Sequence, residues 1–173
     1  LHENVLAIKA DGPTKEDFAW GFRVGFVTFA SKGLSDEQYT ALTTKFMSAI
    51  RSSVSCSSTP AQTLVMNALN DEAHNAQKLE LRKMLKRRYD VVKSFVKNNK
   101  SSVLEPLPFN SGYFMSFNVK SGNAEDIRKK LLKEKGIGII QIDPNTLRVA
   151  FSSIDEEKIE EVYKSIYEVA ESM

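Results

Sequence analysis

The stretch Asp11-Gly12-Pro13-Thr14-Lys15-Glu16-Asp17-Phe18-Ala19-Trp20-Gly21-Phe22-Arg23-Val24-Gly25 gathers the residue types best able to do chemistry in this 173-residue chain. Lys15 follows a hydroxyl residue, Thr14, and precedes a Gly21-x-Arg23-x-Gly25 triplet that begins six positions later. A lysine amine held on a turn is a nucleophile toward a carbonyl carbon. An arginine presents a planar fork that grips phosphate or carboxylate oxygens in pairs. Glycines let backbone pass close to a ligand or to a neighbouring strand. An isolated lysine and arginine eight positions apart would ordinarily be a solvated loop residue and a strand-edge charge. The two placed glycines, and the apolar run that follows them, set this pair apart.

Two further stretches carry polar residues among strand-forming ones: Asn110-Ser111-Gly112-Tyr113-Phe114 and Asn145-Thr146-Leu147-Arg148-Val149-Ala150-Phe151. In the second, alternation puts Leu147, Val149 and Phe151 on one face and Arg148, Ala150 and Ser152 on the other. An arginine beside two small residues has room for a carboxylate to approach it bidentately. An exposed strand arginine is the plainer alternative.

In this order and separation, the three stretches resemble the fold-type I pyridoxal-phosphate-dependent aminotransferases, classes I and II, aspartate aminotransferase-like. The resemblance covers essentially the whole chain. It implies that Lys15 is the catalytic lysine, holding pyridoxal 5'-phosphate covalently and later moving a proton, and that Arg23 anchors the cofactor phosphate. Many relatives have a serine three positions before the lysine as a further phosphate ligand. Gly12 stands there in this chain, and Thr14 is the hydroxyl that remains to bind the cofactor. Arg148 is implied to bind the α-carboxylate of an amino acid substrate, and a 2-oxo acid is implied as the acceptor of the nitrogen.

These groups need elements to position them. Residues 5–9 read as a short buried strand ended by the Asp11-Gly12-Pro13 breakers. Residues 23–30 read as a second strand, rich in β-branched and aromatic residues. Ser35 and Gln38 form a capping box opening a helix to about Ile50. The small-residue connector 52–59 leads to Pro60, which suits the first turn of a helix over 61–70. A long helix follows over 71–98, with Leu81, Leu85, Tyr89, Val92 and Val96 on one face. Pro106 and Pro108 mark a turn or a sheet edge, and Tyr113, Met115, Phe117 and Val119 alternate along a strand. Residues 125–135 form a helix ended by Gly136. Strands over 137–142 and 147–152 join at Asp143-Pro144-Asn145. Ser153 and Glu156 are expected to cap a closing helix with a stripe of Ile159, Val162, Tyr163, Ile166 and Ala170.

The fold class expected is therefore α/β, with α+β in the C-terminal part. It corresponds to the C-terminal portion of a pyridoxal-phosphate-dependent transferase fold. Residues 1–70 would be a remnant of the large cofactor-binding domain, 71–102 a long interdomain helix, and 103–173 the small α+β domain. Two strands alone are marginal in water, and the chain starts almost directly in an apolar run, so it is expected to be a fragment of a longer protein. Family members carry further active-site groups upstream of the lysine, which makes the fragment by itself an inactive piece of its parent enzyme.

Composition narrows the partners. A formal net charge of +2 creates no global field toward nucleic acid or an anionic membrane. The basic residues between 83 and 100 are interrupted or flanked by Glu80 and Asp90 and lack an aromatic platform, so they read as a solvated face. One cysteine, Cys56, and two histidines, His2 and His74, exclude a disulfide framework and leave no cysteine- or histidine-based metal site. His74 reads as a structural residue on a helix face. No apolar run approaches the roughly 20 residues a bilayer span requires. The expectation is a cytoplasmic protein, a homodimer in its full-length form, with no nucleic acid, membrane or metal partner. Three alternatives stay open: a lyase or decarboxylase of the same fold, an aminotransferase-like domain of a transcription regulator, and an unrelated helical binding protein.

Overall fold

The computed structural model describes residues 2–173, which divide into two compact units, Leu1–Leu79 and Glu80–Met173.

The first unit is built on a two-stranded ribbon. Strand β1, Ala7–Asp11, pairs antiparallel with β2, Phe26–Ala30, in a register running from Ala7↔Ala30 to Asp11↔Phe26. Between them Pro13–Glu16 forms a single helical turn, α1. Helix α2, Asp36–Ser53, opens with both halves of the Ser35–Gln38 capping box in place. Tyr39 of α2 fastens it to the end of β2: its hydroxyl accepts from Ser31 N–H at 2.6 Å and donates to Ser31 C=O at 2.7 Å. Phe29 and Phe46 meet edge to face at 6.0 Å. Helix α3, Thr59–Leu69, has Ser58 as its N-cap and Pro60 in its first turn. The buried apolar cluster of this unit is small: Val24, Ala61 and Val65, with Ala19 packed against them.

Here the structure corrects two expectations. The second strand starts at Phe26 rather than Arg23, which lies in the loop before it with a left-handed backbone. The first strand is not buried, since four of its five residues are exposed, and it starts at Ala7 rather than Val5. Its run of Val5, Leu6, Ala7 and Ile8 has the composition of a core strand, but β2 is the only strand it pairs with among the described residues. A two-stranded ribbon has too little surface to cover itself.

The second unit begins within helix α4, His74–Asn98, and holds most of the buried apolar residues. Its sheet is fully antiparallel in the order β3-β4-β6-β5, formed by Leu104–Pro106, Met115–Val119, Thr146–Val149 and Ile140–Asp143 respectively. The inward side chains Met115, Phe117, Val119, Leu147 and Val149 share one core with α5 (Ala124–Lys135) and α6 (Ile159–Glu171). Val92, Phe95 and Val96 of α4 complete it. Gly136 ends α5 at φ +67, the left-handed geometry that a glycine C-cap adopts. Burial follows the alternation read from the sequence: Leu147, Val149 and Phe151 are buried, while Arg148, Ala150 and Ser152 are half-exposed.

Several boundaries differ: β4 starts at Met115 rather than Tyr113, and β5 at Ile140 rather than residue 137. Residues 151–153 form a 3₁₀ turn rather than a continuation of the last strand. The expected cap of the closing helix by Ser153 and Glu156 is absent; a 3₁₀ turn, Glu156–Lys158, leads into α6 without a side-chain cap. Ser153 N–H is instead committed to Ala150 C=O at 3.1 Å, and the Glu156 carboxylate to Arg87 at 3.0 Å.

Candidate cofactor site

The residues singled out around Lys15 lie in one loop. The pair Asp11↔Phe26 closes the ribbon, so residues 12–25, with Thr14, Lys15 and Arg23 among them, all project from the same end of two strands. Pro13 starts the helical turn, where its fixed φ and missing N–H cost nothing. Asp17 N–H and Ala19 N–H both donate to Pro13 C=O at 3.1 Å, which closes the turn behind Lys15. Phe22 N–H then bonds Ala19 C=O at 3.2 Å, and the chain swings back toward β2.

Two non-glycine residues of this loop, Phe18 (φ +57) and Arg23 (φ +55), adopt left-handed backbone. Each costs about 1 kcal/mol relative to ordinary geometry. Strain of this kind persists where surrounding contacts over-determine the backbone, as at ligand-holding loops. For Arg23 those contacts include its neighbour Val24, which is buried against α3.

The motif glycines differ in their reasons. A Cβ on Gly12 would lie 3.1 Å from Val24 C=O, so Gly12 is where the outgoing and returning arms of the loop touch. A serine there would press on the Val24 carbonyl, which would have to give way slightly. A Cβ on Gly21 would meet nothing within 4 Å among the described residues, so packing inside this unit does not demand that glycine.

Thr14 is half-buried, and Lys15 and Arg23 are exposed. Among the described residues the guanidinium of Arg23 makes one long hydrogen bond, Nη1 to Trp20 C=O at 3.4 Å, leaving most of its fork for a ligand. An amine, a hydroxyl and a guanidinium on one short loop fit a ligand that carries both a carbonyl and a phosphate dianion. Pyridoxal 5'-phosphate has that composition, and the residues present fit it.

The loop also has a partner that the sequence reading passed over. Asp17 Oδ1 accepts from Lys78 Nζ at 2.9 Å and lies 3.0 Å from His74 Nε2. Lys78 bridges onward to Glu16 at 2.9 Å. Burial of Asp17 on its own raises its pKa; the hydrogen bonds and charges of Lys78 and His74 outweigh it together and hold the carboxyl below its ordinary value. His74 is thus one of two α4 side chains that meet Asp17. The signal was available in its spacing: His74 and Lys78 stand four apart on a helix and share a face.

In the second unit Arg148 lies on the outer face of the sheet, paired across the strands with Ser116 of β4 and Ile140 of β5. Its guanidinium carbon sits 4.7 Å from the centroid of the Phe114 ring. Its Nε is buried and has no hydrogen-bond partner among the described residues. Among the described residues there is no cluster of three histidine, cysteine or carboxylate side chains that could hold a metal ion, and no helix is long and apolar enough to cross a membrane.

The family model for aminotransferases of class I and II matches residues 17–166. Among solved structures, the chain is similar to an aminotransferase from Anaerococcus prevotii at 26% identity and a TM-score of 0.75, covering 97% of this chain and 40% of that one. It is similar to an aromatic aminotransferase from Pyrococcus horikoshii at 20% identity and a TM-score of 0.70, over 95% of this chain and 43% of that one. It is also similar in fold to an α-aminoadipate aminotransferase from Thermus thermophilus, solved in complex with N-(5'-phosphopyridoxyl)-L-leucine, at 17% identity and a TM-score of 0.69, over 88% of this chain and 39% of that one. The chain therefore spans about two-fifths of the length of these structures. No curated protein matches it.

Proposed function

Because this chain belongs to the class I and II aminotransferase family, we propose that it supplies the lysine loop and the substrate arginine of a pyridoxal-phosphate-dependent aminotransferase. The observation that carries the proposal is the ribbon register: Asp11↔Phe26 puts Thr14, Lys15 and Arg23 in a single loop.

The cofactor, when bound, supplies an electron sink for the pair left at the amino acid Cα once its proton departs. Lys15 holds the cofactor at rest through its amine. Once a substrate amine had displaced it, the same nitrogen would move the proton from the substrate Cα, as general base and then acid. Arg23 holds the phosphate with its fork, and Thr14 adds a hydroxyl donor. Arg148 holds the α-carboxylate of the substrate and so orients its Cα–H bond. Donor amino acid, acceptor 2-oxo acid and assembly as a homodimer are parts of this proposal, as is the inactivity of the 173 residues on their own.

The test is a titration of the full chain carrying this sequence with pyridoxal 5'-phosphate, followed by absorbance, beside Lys15→Ala. The expected result is a shifted absorbance band in the wild type that the variant lacks. A band that survives the substitution unchanged overturns the role of Lys15.

A further inference from the structure

The loop that carries Lys15 is held by two attachments of different kinds. Its second half is held by packing: Ala19 and Val24 lie against Ala61 and Val65 of α3. Its first half has a polar attachment. Asp17, with 14% of its side chain exposed, reaches Lys78 Nζ at 2.9 Å and His74 Nε2 at 3.0 Å in the first turns of α4. Lys78 is itself 15% exposed and takes Glu16 as a second partner. These groups are 57 and 61 residues from Asp17 in sequence.

The attachment sits where it fixes Lys15. Asp17 N–H bonds Pro13 C=O and so closes the turn Pro13–Glu16. Pro13, at the other end of that turn, is buried. Thr14 and Lys15 are therefore strung between one apolar anchor and one ionic anchor. Immediately beyond, Phe18 holds its left-handed backbone, a conformation that needs external support. Nothing in the substrate chemistry requires a carboxylate at position 17, and the family-typical roles of Lys15 and Arg23 leave Asp17 without a task.

We propose that Asp17 is a positioning residue, clamped by His74 and Lys78, which fixes the helical turn carrying Lys15 and so presents the lysine amine to its carbonyl partner. The inference rests on the reading of Lys15 as the cofactor lysine. Charge supports it: Lys78 faces both Asp17 and Glu16, and His74 faces Asp17, so ionised Asp17 is the group on which the two α4 side chains converge. Because α3 holds Ala19 and the returning arm independently, loss of the clamp frees residues 14–18 and leaves β2 and the rest of the unit folded.

The experiment compares the full chain with Asp17→Ala, Asp17→Asn and Lys78→Met in two arms. The first arm, without cofactor, is amide hydrogen exchange. Asp17→Ala and Lys78→Met are expected to raise exchange at the residue-17 amide, which closes the turn onto Pro13 C=O, about tenfold, the equivalent of one charged hydrogen bond, with residues 22–30 unchanged. Asp17→Asn, which keeps an acceptor for Lys78, is expected to restore most of the protection. The second arm exposes each protein to limiting pyridoxal 5'-phosphate, reduces with borohydride and measures the fraction fixed on Lys15. Asp17→Ala and Lys78→Met should capture several-fold less than wild type, with Asp17→Asn between, and a variant combining Asp17→Ala with Lys78→Met should be no worse than either single one. Wild-type exchange at the residue-17 amide in Asp17→Ala and Lys78→Met overturns the clamp, and so does wild-type capture in both variants. If the wild-type chain itself fixes no cofactor on Lys15, the functional reading of Lys15 has failed, and the positioning role falls with it whatever the exchange arm shows about the loop.

Discussion

The guanidinium of Arg148 stacks on the ring of Phe114, with its carbon 4.7 Å from the ring centroid, while its Nε is buried without a partner. A long, flexible cation is thus pinned at one end by an aromatic face and by the strand pairing of β4 and β6. Replacing Arg148 with lysine removes the planar fork and the stack together. In the longer, active enzyme that the proposal places around these 173 residues, Arg148→Lys is expected to raise the KM for the amino acid donor about tenfold or more, with a smaller effect on the turnover number. Phe114→Leu keeps the charge and loosens its seat, so KM should rise only a few-fold, at a stability cost of about 0.5–1 kcal/mol. Steady-state kinetics of the two variants separate fork from stack.

Tyr163 is completely buried between Phe95 and Phe117, and its hydroxyl has no hydrogen-bond partner among the described residues. Removing that hydroxyl relieves an unsatisfied polar group without opening a large cavity. Tyr163→Phe is expected to stabilise the chain by about 1 kcal/mol in urea unfolding. Burial, with a smaller contribution from Tyr167, raises the Tyr163 pKa above the ordinary 10.0. A raised pKa for this neutral acid makes its contribution full below pH 10.0 and lost as pH climbs beyond it, because only the unfolded chain releases the proton. Wild type should therefore lose stability above pH 10.0 more steeply than Tyr163→Phe.

Glu171 near the end of α6 accepts hydrogen bonds from Ser102 N–H at 2.7 Å, from Ser102 Oγ at 2.6 Å and from Ser101 Oγ, tying the segment before β3 to the last helix. The Ser101 bond, then those of Ser102, lower its pKa from 4.5 to about 2. A depressed carboxylate pKa means stability present above the ordinary value and lost as pH falls toward the folded one. Glu171→Gln should unfold more readily than wild type at neutral pH, and the difference should vanish between about pH 4.5 and about 2.

A Cβ on Gly33 would collide with the Glu3 carbonyl oxygen, a backbone atom that cannot rotate away. Gly33→Ala must therefore displace the segment before β1 or the one after β2, at a cost of about 1–3 kcal/mol. Gly21→Ala meets open space and should change unfolding by less than about 0.5 kcal/mol. Equal effects of the two substitutions would contradict the close crossing at Gly33.

Much of this architecture was legible where sequence signals are local. The Ser35–Gln38 box, Pro60 in its first turn, Gly136 at the helix end and the alternation around Arg148 all depend on neighbours within a few residues, and each appears as read. Signals that depend on what lies opposite were less readable. The apolar run at Val5–Ile8 has core composition, yet its exposure is set by how many strands flank it. Ser153 and Glu156 had capping spacing, but Arg87, far away in sequence, takes the carboxylate. Asp17 looked like one loop carboxylate among several until His74 and Lys78 came to meet it. The stack of Phe114, the residue before β4, on Arg148 of β6 likewise depends on a strand register that no single stretch of sequence encodes.

The role of Lys15 is tested most directly by borohydride reduction of the full chain with pyridoxal 5'-phosphate, followed by digestion and peptide mass mapping. The expected result is a reduced cofactor on the peptide that contains Lys15, lost in Lys15→Ala and weakened in Arg23→Gln. A label scattered over other lysines, unchanged by either substitution, would show that the loop between β1 and β2 holds no cofactor.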